Sequence, residues 1–142
     1  MGDWKRRERQ VAAVFNVERN IVRGQDYKIS APDTTPHPYF SIEIKTRNAL
    51  PKSIASINGV AFISKAPAIV KKSLTQASNY SPEKVPVAVL VQNRMHIYRA
   101  IVCIWAHHFA TITQEFPLYD EESIVCMRLG KFVDAFEDLV LQ

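Results

Sequence analysis

Residues 39–46 read Tyr-Phe-Ser-Ile-Glu-Ile-Lys-Thr. Aromatic and β-branched residues favour an extended chain, and apolar and polar side chains alternate along it. Successive side chains of a strand point to opposite faces. Phe40, Ile42 and Ile44 therefore share one face, and Ser41, Glu43 and Lys45 share the other. Pro36 and Pro38 mark a turn just before this strand. Further on, residues 86–92 read Pro-Val-Ala-Val-Leu-Val-Gln, a Val-rich run without alternation. That is the pattern of a strand buried on both faces, which requires helices above and below it.

Residues 3–16 predict an amphipathic helix with Asp3 as its N-cap. Trp4, Glu8, Val11, Ala12 and Phe15 recur on one face of it. Glu8 is the odd member, because a carboxylate on an apolar face is costly unless it is paired or bound to a metal. Residues 19–35 are polar and broken by Gly24 and Pro32, which predicts short strands and turns, one of them over 29–33. Pro51 opens a short helix with Ile54, Ile57 and Ala61 inward, and residues 59–64 fit either helix or loop. Residues 67–80 repeat apolar positions at helical spacing and stop at Ser81-Pro82. The pattern then gives β-type sequence over 96–112, as one long strand or two, a short strand over 124–127 and a closing helix over 131–141. This order predicts an α/β fold, a central mixed β-sheet flanked by α-helices, in a single domain over 1–142.

The 142 residues are 47% hydrophobic and 23% charged, which is enough apolar surface to build a core. The net charge of +4 hides an asymmetry. Residues 1–99 carry 16 Lys and Arg against 7 Asp and Glu, whereas residues 100–142 carry 2 against 7. A polyanion such as nucleic acid is expected on the first two-thirds. No apolar core follows the basic residues near the N-terminus, so no secretory leader is expected. The longest apolar runs, 85–91 and 100–106, fall short of the ~20 residues that cross a bilayer. Cys103 and Cys126 sit in apolar stretches without zinc-ligand spacing, as buried reduced thiols of a cytoplasmic protein would.

The chemistry concentrates at Asp33, Glu43 and Lys45. A Glu-x-Lys triplet alone has little weight, since about half a match is expected by chance in this length. Its place on a strand gives it more, because both side chains then project from one face. Asp33 lies ten residues before Glu43, across a Pro-containing turn that returns the chain alongside. Two carboxylates with a backbone carbonyl between them, that of Ile44, make a hard oxygen site suited to Mg²⁺ or Mn²⁺. Phosphodiester hydrolysis uses such a site to polarise the phosphate and activate water, and a nearby Lys orients that water and offsets negative charge.

Pro32-Asp33 followed by Glu43-Ile44-Lys45 resembles the motif of the PD-(D/E)xK nuclease superfamily, and most closely that of the archaeal-type and phage Holliday junction resolvases. The resemblance implies a restriction-endonuclease-like fold and a third carboxylate on the first helix, a place occupied here by Glu8 within Lys5-Arg6-Arg7-Glu8-Arg9. It implies a supporting Gln in Gln76-Ala77, ahead of the apolar strand. It also implies four-way junction DNA as substrate, a homodimer making paired symmetric nicks, and a cytoplasmic setting. The match spans residues 4–92. The stretch between Lys45 and Gln76 is longer than the family pattern, and the chain from Trp105 onward does not align with it. Asp26 competes with Asp33 as the metal ligand.

Arg6, Arg9, Arg19, Arg23, Arg47, Lys52, Lys71 and Lys72 are the candidates for DNA phosphates. His37, in the turn before the motif strand, is a candidate for phosphate or water contact. His107 and His108, read on a strand, would point to opposite faces and not share a ligand. The alternatives are a repair or restriction-like nuclease acting on other DNA, and a DNA-binding module of the same fold without catalysis.

Overall fold

The computed structural model describes residues 3–20, 32–115 and 119–142. The motif strand forms as its alternation requires, as β1 (Phe40–Arg47). It pairs in parallel with β3 (Val85–Gln92), Glu43 opposite Ala88 and Lys45 opposite Leu90. A parallel pair needs a long crossover. Here that crossover holds α2 (Lys52–Ala55), β2 (Ala61–Ile63) and α3 (Ala68–Tyr80). After β3 comes a 3-10 turn over Ile97–Arg99, then β4 (Ile101–Trp105), α4 (Ala106–Thr113) and β5 (Ile124–Arg128). The chain closes with α5 (Leu129–Ala135) and α6 (Glu137–Val140). The sheet is five-stranded and mixed, in the order β1-β3-β4-β5-β2, with every pair except β1–β3 antiparallel.

Each sheet face carries its own core. On one face Phe40, Ile42 and Ile44 of β1 pack with Val11 of α1 (Asp3–Val14) and Phe15 just after it, and with Phe109, Phe132 and Val140 from the C-terminal helices. On the other face Val70 and Leu74 of α3 and Ile54 of α2 cover Ala88, Leu90, Ile101, Cys103, Ile124 and Cys126. β3 contributes to both, which is why its sequence does not alternate. Ser41 ties β1 to α3 through a 2.6 Å hydrogen bond from its Oγ to the Ala77 carbonyl. Glu43 and Lys45 therefore lie on the α3 side of the sheet.

Several expectations are corrected. Residues 96–112 form neither one long strand nor two, but the single short strand β4 followed by a helix. The extended chain ends at Trp105, and α4 follows because Ala106, Phe109 and Ala110 bury one helical face. His107 and His108 are therefore neighbours on a helix, with ring centroids 4.2 Å apart. Residues 59–64, which fitted helix or loop, contain the edge strand β2. The closing helix starts at Leu129 and breaks at Phe136 into two short pieces. Residue 3 is already helical, so the N-cap is not Asp3. Trp4 is 45% exposed instead of sharing the buried stripe of Val11, Ala12 and Phe15. Of the short strand expected over 29–33, Pro32 and Asp33 lie outside any strand, and residues 29–31 lie outside the described residues.

The chain beyond Trp105 is integral to the domain. β5 lies inside the sheet, and the Phe132 ring packs against Phe15 and Phe40 with centroids 6.0 and 5.5 Å away. Cys103 and Cys126 face each other across β4 and β5 as free, fully buried thiols, with 3.3 Å between the sulfurs. Among the described residues no helix is long and apolar enough to cross a membrane.

Candidate functional site

The site is built on β1, whose pairing with β3 uses one edge. The backbone N–H of Ile44 points the other way and donates to Asp33 Oδ2 at 2.8 Å. The N–H and C=O of one strand residue point to the same side, so the Ile44 carbonyl also lies toward Asp33. A carboxylate from a distant turn is thus clamped onto the middle residue of Glu43-Ile44-Lys45.

Glu43 is buried, at 2% exposure. Its Oε2 lies 3.0 Å from Lys45 Nζ, as the i, i+2 spacing on one strand face allows. Its Oε1 is buried without a hydrogen-bond partner. Burial, with the Asp33 charge added to it, pushes the Glu43 carboxyl up to about 7, and Lys45 works against the rise. Glu8 completes the group from α1. Burial and then the Asp33 charge raise its pKa, while Arg19 and Lys45 lower it. Its Oε1 is held by Arg19 Nε at 2.8 Å. The Arg19 guanidinium also lies over the Trp4 ring, 5.3 Å from the centroid.

Glu8 and Glu43 thus both sense the charge of Asp33 at the β1 edge, with Lys45 and Arg19 as the balancing cations. Among the described residues no His, Cys, Asp and Glu side chains are grouped in threes closely enough to hold a metal ion. The oxygen donors available together are those of Asp33 and Glu43 with the Ile44 carbonyl, and Glu8 stands behind Arg19. One or two carboxylates suffice for Mg²⁺, which keeps several waters. The partnerless Glu43 Oε1, buried beside a second carboxylate, is what a cation would satisfy. The donor set therefore fits such an ion.

The remaining candidates are dispersed. Gln76 is not joined to the carboxylates; its Nε2 donates to Tyr80 Oη at 3.4 Å along α3. It shares a shallow groove on the outer face of that helix with Lys71, Lys72 and Thr75. Lys71 is paired with Glu122 at 2.5 Å, and Lys72 is exposed. Arg6 and Arg9 are exposed on α1, Arg47 at the end of β1 and Lys52 on α2. Arg19 serves Glu8. Arg23 and Asp26 lie outside the described residues. His37 does not face the site: it is 1% exposed, and its ring is spent on backbone groups. Sequence reasoning missed the Arg19–Glu8 pair, whose only signal was the need for Glu8 to find a partner. His108 is half-buried, and burial together with the His107 charge lowers it to about 4.

The chain matches no protein-family model, no curated protein and no solved structure.

Proposed function

We propose that this protein is a divalent-metal-dependent endodeoxyribonuclease with a restriction-endonuclease-like fold, acting on branched DNA as a homodimer. The observation that carries the reading is the clamp of Asp33 on Ile44, between a buried Glu43 and its Lys45 partner. A structural ion pair on a strand has no need of a second, distant carboxylate at the same place. The proposal that the substrate is a four-way junction rests on the resemblance of Pro32-Asp33 and Glu43-Ile44-Lys45 to the resolvase motif.

Asp33, Glu43 and the Ile44 carbonyl would hold Mg²⁺ or Mn²⁺, with Glu8 as an outer carboxylate. The bound ion supplies a Lewis acid for the phosphate and lowers the pKa of a coordinated water. Lys45 orients the attacking water and offsets charge developing on the phosphate oxygens. Burial of Glu43 keeps competing water away from that pair.

Four-way junction, flap, nicked and linear duplex offered in parallel with Mg²⁺ test the reading. Symmetric nicks confined to the junction are expected, and no cleavage of any substrate would overturn it. Metal binding should also depend on pH. A carboxylate ligand must be ionised, and Glu43 holds its proton up to about 7. Affinity for Mn²⁺ should therefore rise as pH increases toward that value and level off above it, with about one proton released per ion below it and none well above it. Calorimetry in buffers of different ionisation enthalpy measures both quantities, and pH-independent binding would contradict the role of Glu43.

A further inference from the structure

The connection between β3 and β4 carries groups that the proposed chemistry does not use. Arg94, His96, Tyr98 and Arg99 are all exposed on it. The His96 and Tyr98 rings stack, with centroids 5.7 Å apart and planes 21° from parallel. His96 Nδ1 also accepts from the Tyr98 backbone N–H at 3.2 Å, which fixes the pair. Tyr98 packs against Gly130 yet remains 47% exposed. It is a rigid aromatic surface open to solvent.

Arg94 and Arg99 flank it in the same connection. Arg128 reaches under the turn, its Nη1 donating to the Arg99 carbonyl at 2.7 Å and its Nη2 to the Ala55 carbonyl at 3.1 Å. Burial and then the Arg99 charge lower the Arg128 pKa, so the two cations stand close together. Among the described residues no carboxylate pairs with Arg94, Arg99 or Arg128. Arg94 has a φ of 69°, a left-handed conformation that favours glycine. A side chain kept there at a cost in backbone energy points to a use for that side chain.

This patch lies at the same end of the sheet as the candidate site. The Asn93 N–H donates to the Arg47 carbonyl at the end of β1, at 2.9 Å. α1 runs antiparallel to β1, because Phe15 meets Phe40 at the start of β1 while Glu8 senses Lys45 near its end. The 3-10 turn packs against α1 and α5.

We infer that Tyr98, backed by His96, stacks an unpaired nucleobase of the DNA substrate, while Arg94 and Arg99 hold the phosphates on either side of it. The inference rests on the nuclease reading and adds to it a means of recognising DNA that is not fully paired. Charge selects a polyanion in place of an apolar peptide. The flat exposed ring selects a base in place of phosphate alone, since every base has a face to stack.

The test uses the whole protein in EDTA and a duplex with a short single-stranded gap that carries 2-aminopurine. Wild-type protein should quench the 2-aminopurine on binding. Tyr98→Leu keeps the apolar packing on Gly130 and should lose the quench together with about tenfold affinity for the gapped DNA. Tyr98→Phe should retain both. Affinity for fully paired duplex should be equal in all three. Arg94→Gly should bind gapped DNA more weakly while its Tm stays level or rises, because the backbone strain is relieved. Full quenching and unchanged affinity in Tyr98→Leu would overturn the inference and leave the nuclease reading standing. Failure of the wild type to bind or cut any DNA would remove both.

Discussion

Lys45→Ala and Glu43→Gln should each reduce Mg²⁺-dependent DNA cleavage by about a thousandfold or more while the protein stays folded. The size follows from what each change removes. Loss of one preorganised charge-stabilising donor costs about 10²–10³ in rate, and loss of an ion ligand costs more. Glu43→Gln is nearly isosteric, so the packing against Ala88 in β3 is kept. Stability should respond with a definite sign. The Glu43 carboxyl is raised from 4.5 to about 7, so the folded state holds more protons than the unfolded one in that window. The contribution of Glu43 to stability is therefore full below 4.5 and is lost as pH rises through about 7. Glu43→Gln lacks this slope. At pH 8 its Tm should equal or exceed that of the wild type, because a buried charge beside Asp33 has been removed. Single-turnover cleavage and thermal melts on the same preparations check both halves. Wild-type-like cleavage by the two folded variants would sink the proposed activity.

His37→Ala should produce the largest loss of stability from a single site outside the apolar core. The ring is buried and joins three backbone groups, one of them near the far end of the chain. Nδ1 accepts from the N–H groups of Tyr39 and Phe40 at 3.0 and 3.1 Å, and Nε2 lies 2.8 Å from the Val140 carbonyl. This pattern specifies a neutral ring with its proton on Nε2. The ring also packs against Phe15 and Phe40, with centroids 6.0 and 5.3 Å away. Removing it orphans buried backbone groups and leaves a cavity, together about 3–5 kcal/mol. That corresponds to a fall in Tm of about 10 °C or more for a chain of this size. His37→Asn should lose less, because an amide oxygen can replace Nδ1 as acceptor. Burial lowers the His37 pKa below 6.5, so stability is lost as pH falls below 6.5, the opposite direction from Glu43. Melts of the three proteins across pH separate the effects; equal stability of His37→Ala and wild type would refute the clamp.

The two sites differ in how far the chain disclosed them. Glu43 and Lys45 were legible because an i, i+2 pair on a strand shares a face whatever the strand packs against. Helix α3 was legible because its apolar positions run at helical spacing for nearly its whole length. α4 was not, since a run of eight residues rich in aromatic and β-branched types suits a period of 2 as well as one of 3.6. β2 escaped for a similar reason: three residues show no period, and only antiparallel pairing with β5 defines them. His37 read as a candidate ligand because it lies near Asp33 in sequence, whereas its ring turns inward to Val140, 103 residues away.

The motif strand and its two faces, helices α1 and α3, the buried strand β3 and the identity of the charged residues available for chemistry all follow from the amino-acid sequence alone. These are local properties, set by side-chain type and by the periods of strand and helix. Four features needed the assembled fold: Asp33 is bound to the Ile44 N–H, Arg19 answers the charge of Glu8, the acidic C-terminal third supplies the two inner strands β4 and β5, and His37 ties the last helix to the start of β1. Each of these joins residues separated by loops whose closure costs entropy and is repaid only when the whole sheet and both of its cores assemble.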